Sequence, residues 1–206
     1  MKILILGISR SGTTSLRRGF AQQNYKTIGE PFNELVTGNR NYPLEELSND
    51  IDICVKTLCD QVPKNIDLSF DDFIKKFVKD FDKIILLDRM NDIEHEESFV
   101  HLMWRLSRNE DAHTEWTADI VPQEFKDNFY YHNQHTHIYL QKEQLKRISE
   151  YTNTPITWYE ELYGEDRLKS FDIINKWNIE NIDPFELNEY LNPKNKLKKG
   201  DKKSII

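Results

Sequence analysis

The residues best suited to chemistry lie near the amino terminus, where an apolar run meets a turn bounded by glycines. Residues 3–6 are continuously apolar, Gly7 and Gly12 enclose the turn, and Arg10 lies inside it. Helical spacing of the apolar residues begins at Thr13. A buried strand, a tight turn and a helix start direct backbone N–H groups and the positive end of the helix dipole into one concavity. This stretch therefore predicts a cradle for an anion.

The spacing of the turn is that of the nucleotide-binding loop G-x-x-x-x-G-K-[ST], with one change. Gly7, Gly12 and Thr14 stand at the expected positions, but Thr13 replaces the lysine. That lysine normally reaches the β- and γ-phosphates, so its absence argues against ATP or GTP as the ligand. The positive charge of the loop is carried instead by Arg10.

Four further side chains stand close to the ends of the later strands that the sequence predicts. Glu30 follows the second strand, Lys56 lies at the end of the third, Arg89 follows the fourth and Tyr159 follows the fifth. Pro31 disfavours a right-handed helical conformation at the residue before it, which places the carboxylate at a strand end or turn. Ligands of open parallel sheets bind at the carboxyl ends of the strands. We therefore expect these side chains to meet the glycine-bounded turn at one edge of the sheet.

Strands and helices alternate along the chain in an order that can position these residues. The predicted strands after the first lie at 25–29, 51–58, 84–87 and 154–162. The predicted helices lie at 13–24, 70–81, 99–106, 140–151 and 166–177. A strand, a helix and a strand in succession form a βαβ unit, whose strands are parallel. The sequence thus predicts a P-loop-NTPase-like α/β fold in three layers, with a central parallel sheet of about five strands flanked by helices.

The same patterns predict the domain organisation. Residues 1–192 are expected to form a single α/β domain, and the basic segment 193–206 is expected to be a solvated tail. Residues 37–50 are polar and contain turn formers, so we interpret them as a surface loop that covers an acceptor. The polar and aromatic segment 109–133 predicts irregular structure or short helices.

The composition excludes several classes of protein. A hydrophobic fraction of 38% in 206 residues suffices for a folded core, and a net charge of −7 argues against general nucleic-acid binding. No apolar run approaches the roughly 18 residues of a membrane span. Cys54 and Cys59 lack the C-x-x-C spacing, so reduced thiols and a cytoplasmic location are expected. His132, His135 and His137 lack the partners of a familiar zinc pattern, and no metal site is expected.

The segment Arg10-Ser-Gly-Thr-Thr14 resembles the [RK]-S-G-T-T loop of sulfotransferases. In that family the loop holds the 5′-phosphosulfate of 3′-phosphoadenosine 5′-phosphosulfate (PAPS). The resemblance implies that the cofactor is contacted by the residues of the loop, namely Ser9, Arg10, Ser11, Gly12, Thr13, Thr14 and Ser15. Some relatives carry a tryptophan after Thr-Thr that stacks on the adenine, and here that position is serine.

A second segment extends the resemblance to the other phosphate of the cofactor. An apolar strand, Arg89 and then Ser98 on the next helix are similar to the family signature that grips the 3′-phosphate, although the interval is nine residues where the family often has eight. The Tyr-Glu-Glu-Leu run at Tyr159 resembles a segment whose tyrosine lies near the adenine. Two simpler interpretations stay open: Arg89 pairing with Glu94 or Glu96, and Tyr159 serving as an ordinary strand aromatic.

The resemblance also indicates which residue removes the acceptor's proton. Several sulfotransferase groups, including those that act on heparan sulfate, place a glutamate after the second strand, and Glu30 matches that position. Others use a histidine two residues after a strand lysine, but here Lys56 is followed at that place by Leu58. Glu30 is therefore the favoured base and Glu34 the runner-up, and a capping or solvated role for Glu30 stays open.

Together these segments imply a PAPS-dependent sulfotransferase that acts on a hydroxyl of a sugar, an aromatic compound or another small molecule. Arg10, helped by Lys56, would neutralise charge on the sulfuryl oxygens, and the reaction requires no metal. The expected partners are a small-molecule or glycan acceptor and the product 3′-phosphoadenosine 5′-phosphate (PAP), with no nucleic acid. Two alternatives stay open: a nucleotide or small-molecule kinase with a degenerate loop, and a non-catalytic module that binds adenine nucleotides.

Overall fold

A computed structural model describes residues 1–33, 52–59, 61, 69–108, 110, 120–131 and 135–192. The strands in these ranges are β1 Lys2–Gly7, β2 Lys26–Gly29, β3 Ile53–Leu58, β4 Lys83–Asp88 and β5 Ile156–Trp158. The helices are α1 Thr13–Gln22, α2 Phe70–Phe77, α3 Asp92–Ser107, α4 Gln123–Tyr131, α5 His135–Thr152, α6 Tyr159–Leu162, α7 Arg167–Lys176 and α8 Pro184–Leu191. A single 3₁₀ turn, Val78–Asp80, follows α2.

The strands in the described ranges form one parallel sheet in the order β2-β3-β1-β4-β5. β1 is central, and its side chains alternate between the two faces of the sheet. Ile3 and Ile5 pack with one group of helices, and Leu4 and Leu6 pack with another. A strand buried on both faces is expected to be apolar throughout, which is the pattern of this segment. The predicted α/β fold, with a central parallel sheet of five strands between helices, is confirmed.

Different helices cover the two faces. On one face Phe20 of α1 lies in the same core cluster as Leu187 of α8. On the other, Phe73 and Phe77 of α2 stack with ring centroids 5.3 Å apart and share a cluster with Ile148 of α5. Burial of side chains of this size stabilises the fold by about 1.5–3 kcal/mol each. These two apolar layers hold the strands, and through them the loops at the strand ends.

The largest boundary errors concern three elements, and one helix was not predicted. α3 begins at Asp92, seven residues before the predicted start at 99. The strand expected at 154–162 ends at Trp158, and Tyr159 begins α6, because the acidic residues of Tyr-Glu-Glu-Leu favour a helix start. α5 begins at His135, five residues before the predicted start, in a stretch without apolar periodicity. α8 was missed although its start is marked in the sequence: the Asp183 side chain accepts hydrogen bonds from the first turn, and Pro184 opens the helix.

The strand order determines where a ligand site can form. From β1 the chain moves to β2 and β3 on one side, and later crosses to β4 and β5 on the other. The carboxyl end of β1 is therefore the point where the connections diverge, which is where open α/β sheets bind ligands. None of the helices in the described ranges combines the length and the apolar character needed to span a bilayer.

Candidate active site at the carboxyl edge of the sheet

The loop between β1 and α1 depends on its two glycines. A Cβ atom at Gly7 would lie 2.6 Å from Thr13 Cγ2 and 2.8 Å from the Leu87 carbonyl oxygen. A Cβ atom at Gly12 would lie 2.6 Å from the Tyr163 ring, and Gly12 also has a φ of 84°. Any larger residue would therefore open the loop. Gly7 and Gly12 are therefore needed because the loop backbone passes close to Thr13, Leu87 and Tyr163 at these two positions.

The amino terminus of α1 faces the loop without a side-chain cap. Gly12 supplies no capping hydrogen bond, and the first turn, Thr13-Thr-Ser15, contains no acidic residue. The first N–H groups of a helix lack intrahelical partners and carry its positive dipole end. Here they are joined by hydroxyl groups and by the nearby Arg10, so the cradle has the donors and the charge that an anion requires.

Ser9 and Ser11 hold the shape of the loop. The Ser11 hydroxyl, fully buried, donates to the Ile8 carbonyl oxygen at 2.7 Å. The Ser9 N–H donates to Gln141 Oε1 at 3.0 Å, and the Ser9 carbonyl lies 2.6 Å from His95 Nε2. The backbone of Ser9 is thus engaged by protein groups. Of the loop residues predicted to contact a cofactor, these two are placed to support the loop.

Arg10 extends from the loop to α3. Its Nε donates to Ser98 Oγ at 3.0 Å, and Ser98 is buried. Burial lowers the pKa of Arg10, and the nearby charges of Arg89 and Arg105 lower it further. Like charges destabilise one another at short range, and Arg105 is offset by Glu110, whose Oε2 lies 3.4 Å from Arg105 Nε. The structure thus places Arg10 against Ser98 and within electrostatic reach of Arg89 and Arg105, of which Arg105 was not indicated by the sequence.

Arg89 also makes the contacts of the simpler interpretation. Its Nη2 donates to Glu94 Oε2 at 3.2 Å, its Nε lies 3.7 Å from Glu160 Oε1, and its guanidinium lies 4.6 Å from the centre of the Tyr159 ring. The Glu94 side chain is 58% exposed, whereas Glu160 accepts hydrogen bonds from the N–H groups of Met90 and Asn91. Arg89 is thus both part of the arginine cluster and paired with acids.

Tyr159 and Tyr163 connect this cluster to the loop. Their rings stack with centroids 4.7 Å apart, and the Tyr163 hydroxyl donates to the Gly12 carbonyl oxygen at 2.7 Å. The Tyr159 ring is therefore contacted by Arg89 as well as by Tyr163. As the first residue of α6, Tyr159 is not an ordinary strand aromatic.

Glu30 and Lys56 form a second cluster on the opposite side of the β1 end. Lys56 Nζ donates to Glu30 Oε1, and Glu30 Oε2 accepts from Asn33 Nδ2 at 2.6 Å and from Gln61 Nε2 at 3.0 Å. Burial alone would raise the pKa of Glu30. The attraction of Lys56 and the three hydrogen bonds outweigh burial and hold the pKa of Glu30 below its usual value. The carboxylate is ionised at neutral pH, and neither capping nor full solvation describes it.

The sheet places the two clusters side by side. β3, which carries Lys56, and β4, which leads to Arg89, both pair with β1. Neighbouring strands are about 4.8 Å apart, so the clusters flank the end of β1 within reach of a ligand in the cradle. Lys56 pairs in register with Ile5, two residues before the end of β1, and its buried side chain extends to Glu30.

The two most strained residues of the described chain belong to these clusters. Apart from asparagines and Gly12, the described residues with positive φ are Arg10, at 67°, and Glu30, at 52°. The left-handed region costs a residue with a Cβ about 1–2 kcal/mol. Strained backbone of this kind is concentrated at functional sites, where the surroundings hold it in place. Arg10 and Glu30, which have these unusual φ angles, are two of the three residues predicted from the sequence to be catalytic.

Sequence reasoning missed the residues that hold the site together. His95, Gln141, Tyr163 and Gln61 each contact a predicted site residue, and the first three are almost completely buried. A signal existed for His95: it lies four residues before Phe99, on the face of α3 that enters the core. A polar residue at an apolar position of a helix is the pattern that would have identified it.

Several predictions lie outside the described residues. These are the alternative base Glu34, the loop at 37–50, His132 and the tail at 193–206. Among the residues that are described, no group of three or more histidine, cysteine, aspartate or glutamate side chains is arranged to hold a metal ion.

Comparison with known proteins identifies no relative. No family model matches the chain, and neither the curated proteins nor the solved structures yield a match. The function must therefore be inferred from the site itself.

Proposed function

We propose that this protein is a sulfotransferase that moves a sulfuryl group from PAPS to an acceptor hydroxyl. The observation that carries the proposal is the hydrogen bond from Arg10 to Ser98, with Arg89 within electrostatic reach, beside a glycine loop that lacks the triphosphate-binding lysine. The strand order and the position of the loop after the central strand support a P-loop-like origin of the fold.

The cradle fits the 5′-phosphosulfate by its donor set. The N–H groups and hydroxyls of Thr13, Thr14 and Ser15 stand at an uncapped helix start that carries no acid in its first turn. Gly12 lets the backbone approach closely, and Arg10 adds positive charge beside it. These residues would hold the 5′-phosphate, and PAPS itself supplies the activated sulfuryl group. Neutral donors with one arginine suit a phosphosulfate, which carries less charge, better than a triphosphate with its metal ion.

Arg89 and Ser98 would bind the 3′-phosphate, which distinguishes PAPS from ordinary adenine nucleotides. Arg89 can bind the phosphate if it releases Glu94, whose side chain is exposed. Glu160 would stay in place, because two backbone N–H groups hold it. A guanidinium binds phosphate with paired hydrogen bonds. Because the Tyr159 ring already contacts Arg89 and Tyr163, we expect it to meet the adenine at its edge.

Glu30 would act as the base. As the acceptor oxygen forms its bond to sulfur, the bond from sulfur to the 5′-phosphate oxygen breaks and its electron pair stays on that phosphate. The acceptor proton passes to Glu30, which is ionised but bound to Lys56 in the free protein. In this proposal Lys56 turns from Glu30 toward the sulfuryl oxygens, which frees the carboxylate and lets Lys56 help Arg10 neutralise their charge.

The acceptor and the cellular location remain parts of the proposal. The acceptor carries a hydroxyl, as a sugar, an aromatic compound or another small molecule does. Cys54 and Cys59 are both buried thiols, as expected of a protein in a reducing, cytoplasmic compartment.

Thermal unfolding in the presence of nucleotides tests the proposal. At about 100 times the dissociation constant, PAP without Mg²⁺ is expected to stabilise the protein by about 2.7 kcal/mol, which for a chain of this length raises Tm by about 5–10 °C. AMP at the same concentration should raise Tm much less. Stabilisation by Mg·ATP and not by PAP would establish the alternative of a kinase, and no response to either would refute nucleotide binding altogether.

A further inference from the structure

The conformation of Arg10 requires support that the loop alone does not provide. With a φ of 67°, Arg10 occupies the left-handed region, where a side chain with a Cβ is disfavoured. Its neighbour Ser11 is fixed on one side, since the N–H and the hydroxyl of Ser11 both donate to the Ile8 carbonyl, at 3.3 Å and 2.7 Å. The peptide that precedes Arg10 must be fixed as well if the bend is to persist.

Two buried side chains from different helices fix the peptides on both sides of Ser9, and His95 binds the one that joins Ser9 to Arg10. Gln141 of α5 accepts the Ser9 N–H at 3.0 Å, and His95 of α3 lies with Nε2 2.6 Å from the Ser9 carbonyl oxygen. Gln141 is 1% exposed and His95 is fully buried. Both polar groups of Ser9 are thus held by groups that cannot move without disturbing the core. Since a carbonyl only accepts, the contact requires His95 to carry its proton on Nε2.

These two side chains are arranged for this contact and for little else. Within the described part of the chain, the other polar atom of each, His95 Nδ1 and Gln141 Nε2, has no hydrogen-bond partner. Buried polar groups are normally satisfied, so a site that leaves two unpaired keeps them at a cost. Packing does not explain the choice, because apolar residues would fill the same positions without that cost.

We propose that His95 and Gln141 are positioning residues, which hold the Ser9 peptide so that Arg10 keeps its left-handed bend and aims its guanidinium at the bound anion. The inference rests on the proposed function, in which Arg10 binds the phosphosulfate. It adds that His95 and Gln141 act on the ligand through Arg10 and make no contact with it themselves.

The test is a double-mutant cycle on the affinity for PAP, measured by calorimetry at pH 7. His95→Leu removes the contact and His95→Gln keeps a donor near the place of Nε2; Gln141→Leu and Gln141→Glu form the matching pair on α5. We expect each leucine variant to bind PAP about tenfold more weakly, the equivalent of one hydrogen bond, and each conservative variant to stay within about threefold of the wild type.

The background of Arg10→Ala separates positioning from general stability. If His95 acts through Arg10, His95→Leu should weaken binding less than about twofold once Arg10 is absent. An equal loss in both backgrounds, or no loss in the wild-type background, would overturn the proposal.

A crystal structure of ligand-free His95→Leu makes the outcome independent of PAP. The expected structure shows Arg10 at negative φ or with its guanidinium withdrawn from Ser98. If the wild-type protein fails to bind PAP, the proposed function is wrong, and this structure alone then decides: an unchanged loop overturns the positioning role, and an altered loop supports it. Should His95→Leu not fold, Gln141→Leu decides by the same criteria.

Discussion

The strain at Arg10 predicts an inversion of the usual ranking of glycine and alanine. At ordinary positions alanine is the more stabilising residue, by about 0.5–1 kcal/mol, because glycine gains more freedom in the unfolded chain. At the φ of 67° of Arg10, alanine keeps the left-handed cost of about 1–2 kcal/mol and glycine does not. We therefore expect Arg10→Gly to be more stable than Arg10→Ala by about 0.5–1 kcal/mol.

The comparison isolates the backbone because both variants lose the same side chain. Each gives up the hydrogen bond from Arg10 Nε to Ser98 Oγ and relieves the repulsion from Arg89, so these contributions cancel in the difference. Lys146 provides the matched control: it is exposed in the middle of α5, and there alanine should be the more stable of the pair by about 1 kcal/mol.

Urea unfolding followed by circular dichroism measures both differences. If Arg10→Gly proves less stable than Arg10→Ala while the Lys146 pair ranks as expected, the loop does not hold residue 10 in a strained conformation, and the structural basis of the cradle is refuted. Both Arg10 variants should lose sulfuryl transfer alike.

Four further predictions concern the two clusters. Glu30→Gln should lower turnover by about 10²–10⁴ while PAP binding, measured by calorimetry, is retained; turnover like that of the wild type would remove Glu30 from the mechanism. Arg89→Ala should weaken PAP binding far more than AMP binding, and equal weakening would reassign Arg89 to structure. Glu94→Gln should strengthen PAP binding by a few fold, since it removes the anion that competes for Arg89; weaker binding would contradict the exchange. Burial lowers the pKa of His95 to about 4, so its stabilising contribution is present above pH 6.5 and is lost as the pH falls from there toward 4. Over that range His95→Gln should lose up to about 3 kcal/mol less unfolding free energy than the wild type. An unchanged pH profile would contradict this prediction.

The fold was predictable because its signals are local and repeated. Residues 3–6 and 84–87 are apolar without interruption, and this indicates strands buried on both faces before any tertiary information is used. The Ser-x-x-Asp pattern at 69–72 has the form of a capping box and likewise made the start of α2 predictable; in the structure the Ser69 hydroxyl accepts the Asp72 N–H at 3.2 Å. The start of α5 at His135 was not, because no apolar spacing marks it.

The part of the site that was predictable is the part fixed by the sheet topology. Placing Arg10, Glu30 and Arg89 at strand ends was enough to bring them to one edge, since parallel strands end together. Which groups they contact depends on helices distant in sequence: Gln141 lies 132 residues from Ser9, and Tyr163 lies 151 residues from Gly12. No periodicity in a single sequence reports contacts over such separations, so the roles of Gln141 and Tyr163 emerged only from the structure.

The Glu30–Lys56 pair imposes an order on the proposed reaction. In the free protein the two groups bind each other. The Glu30 carboxylate, the proposed proton acceptor, is held by the Lys56 ammonium, which is proposed to meet the sulfuryl oxygens. Lys56 is 2% exposed, so it gains no solvation by leaving Glu30 and moves only if another anion takes its charge. A bound phosphosulfate provides that anion, and the acceptor hydroxyl then replaces the lost hydrogen bond on Glu30. The base is therefore released by the cofactor, which disfavours proton abstraction from an acceptor bound alone.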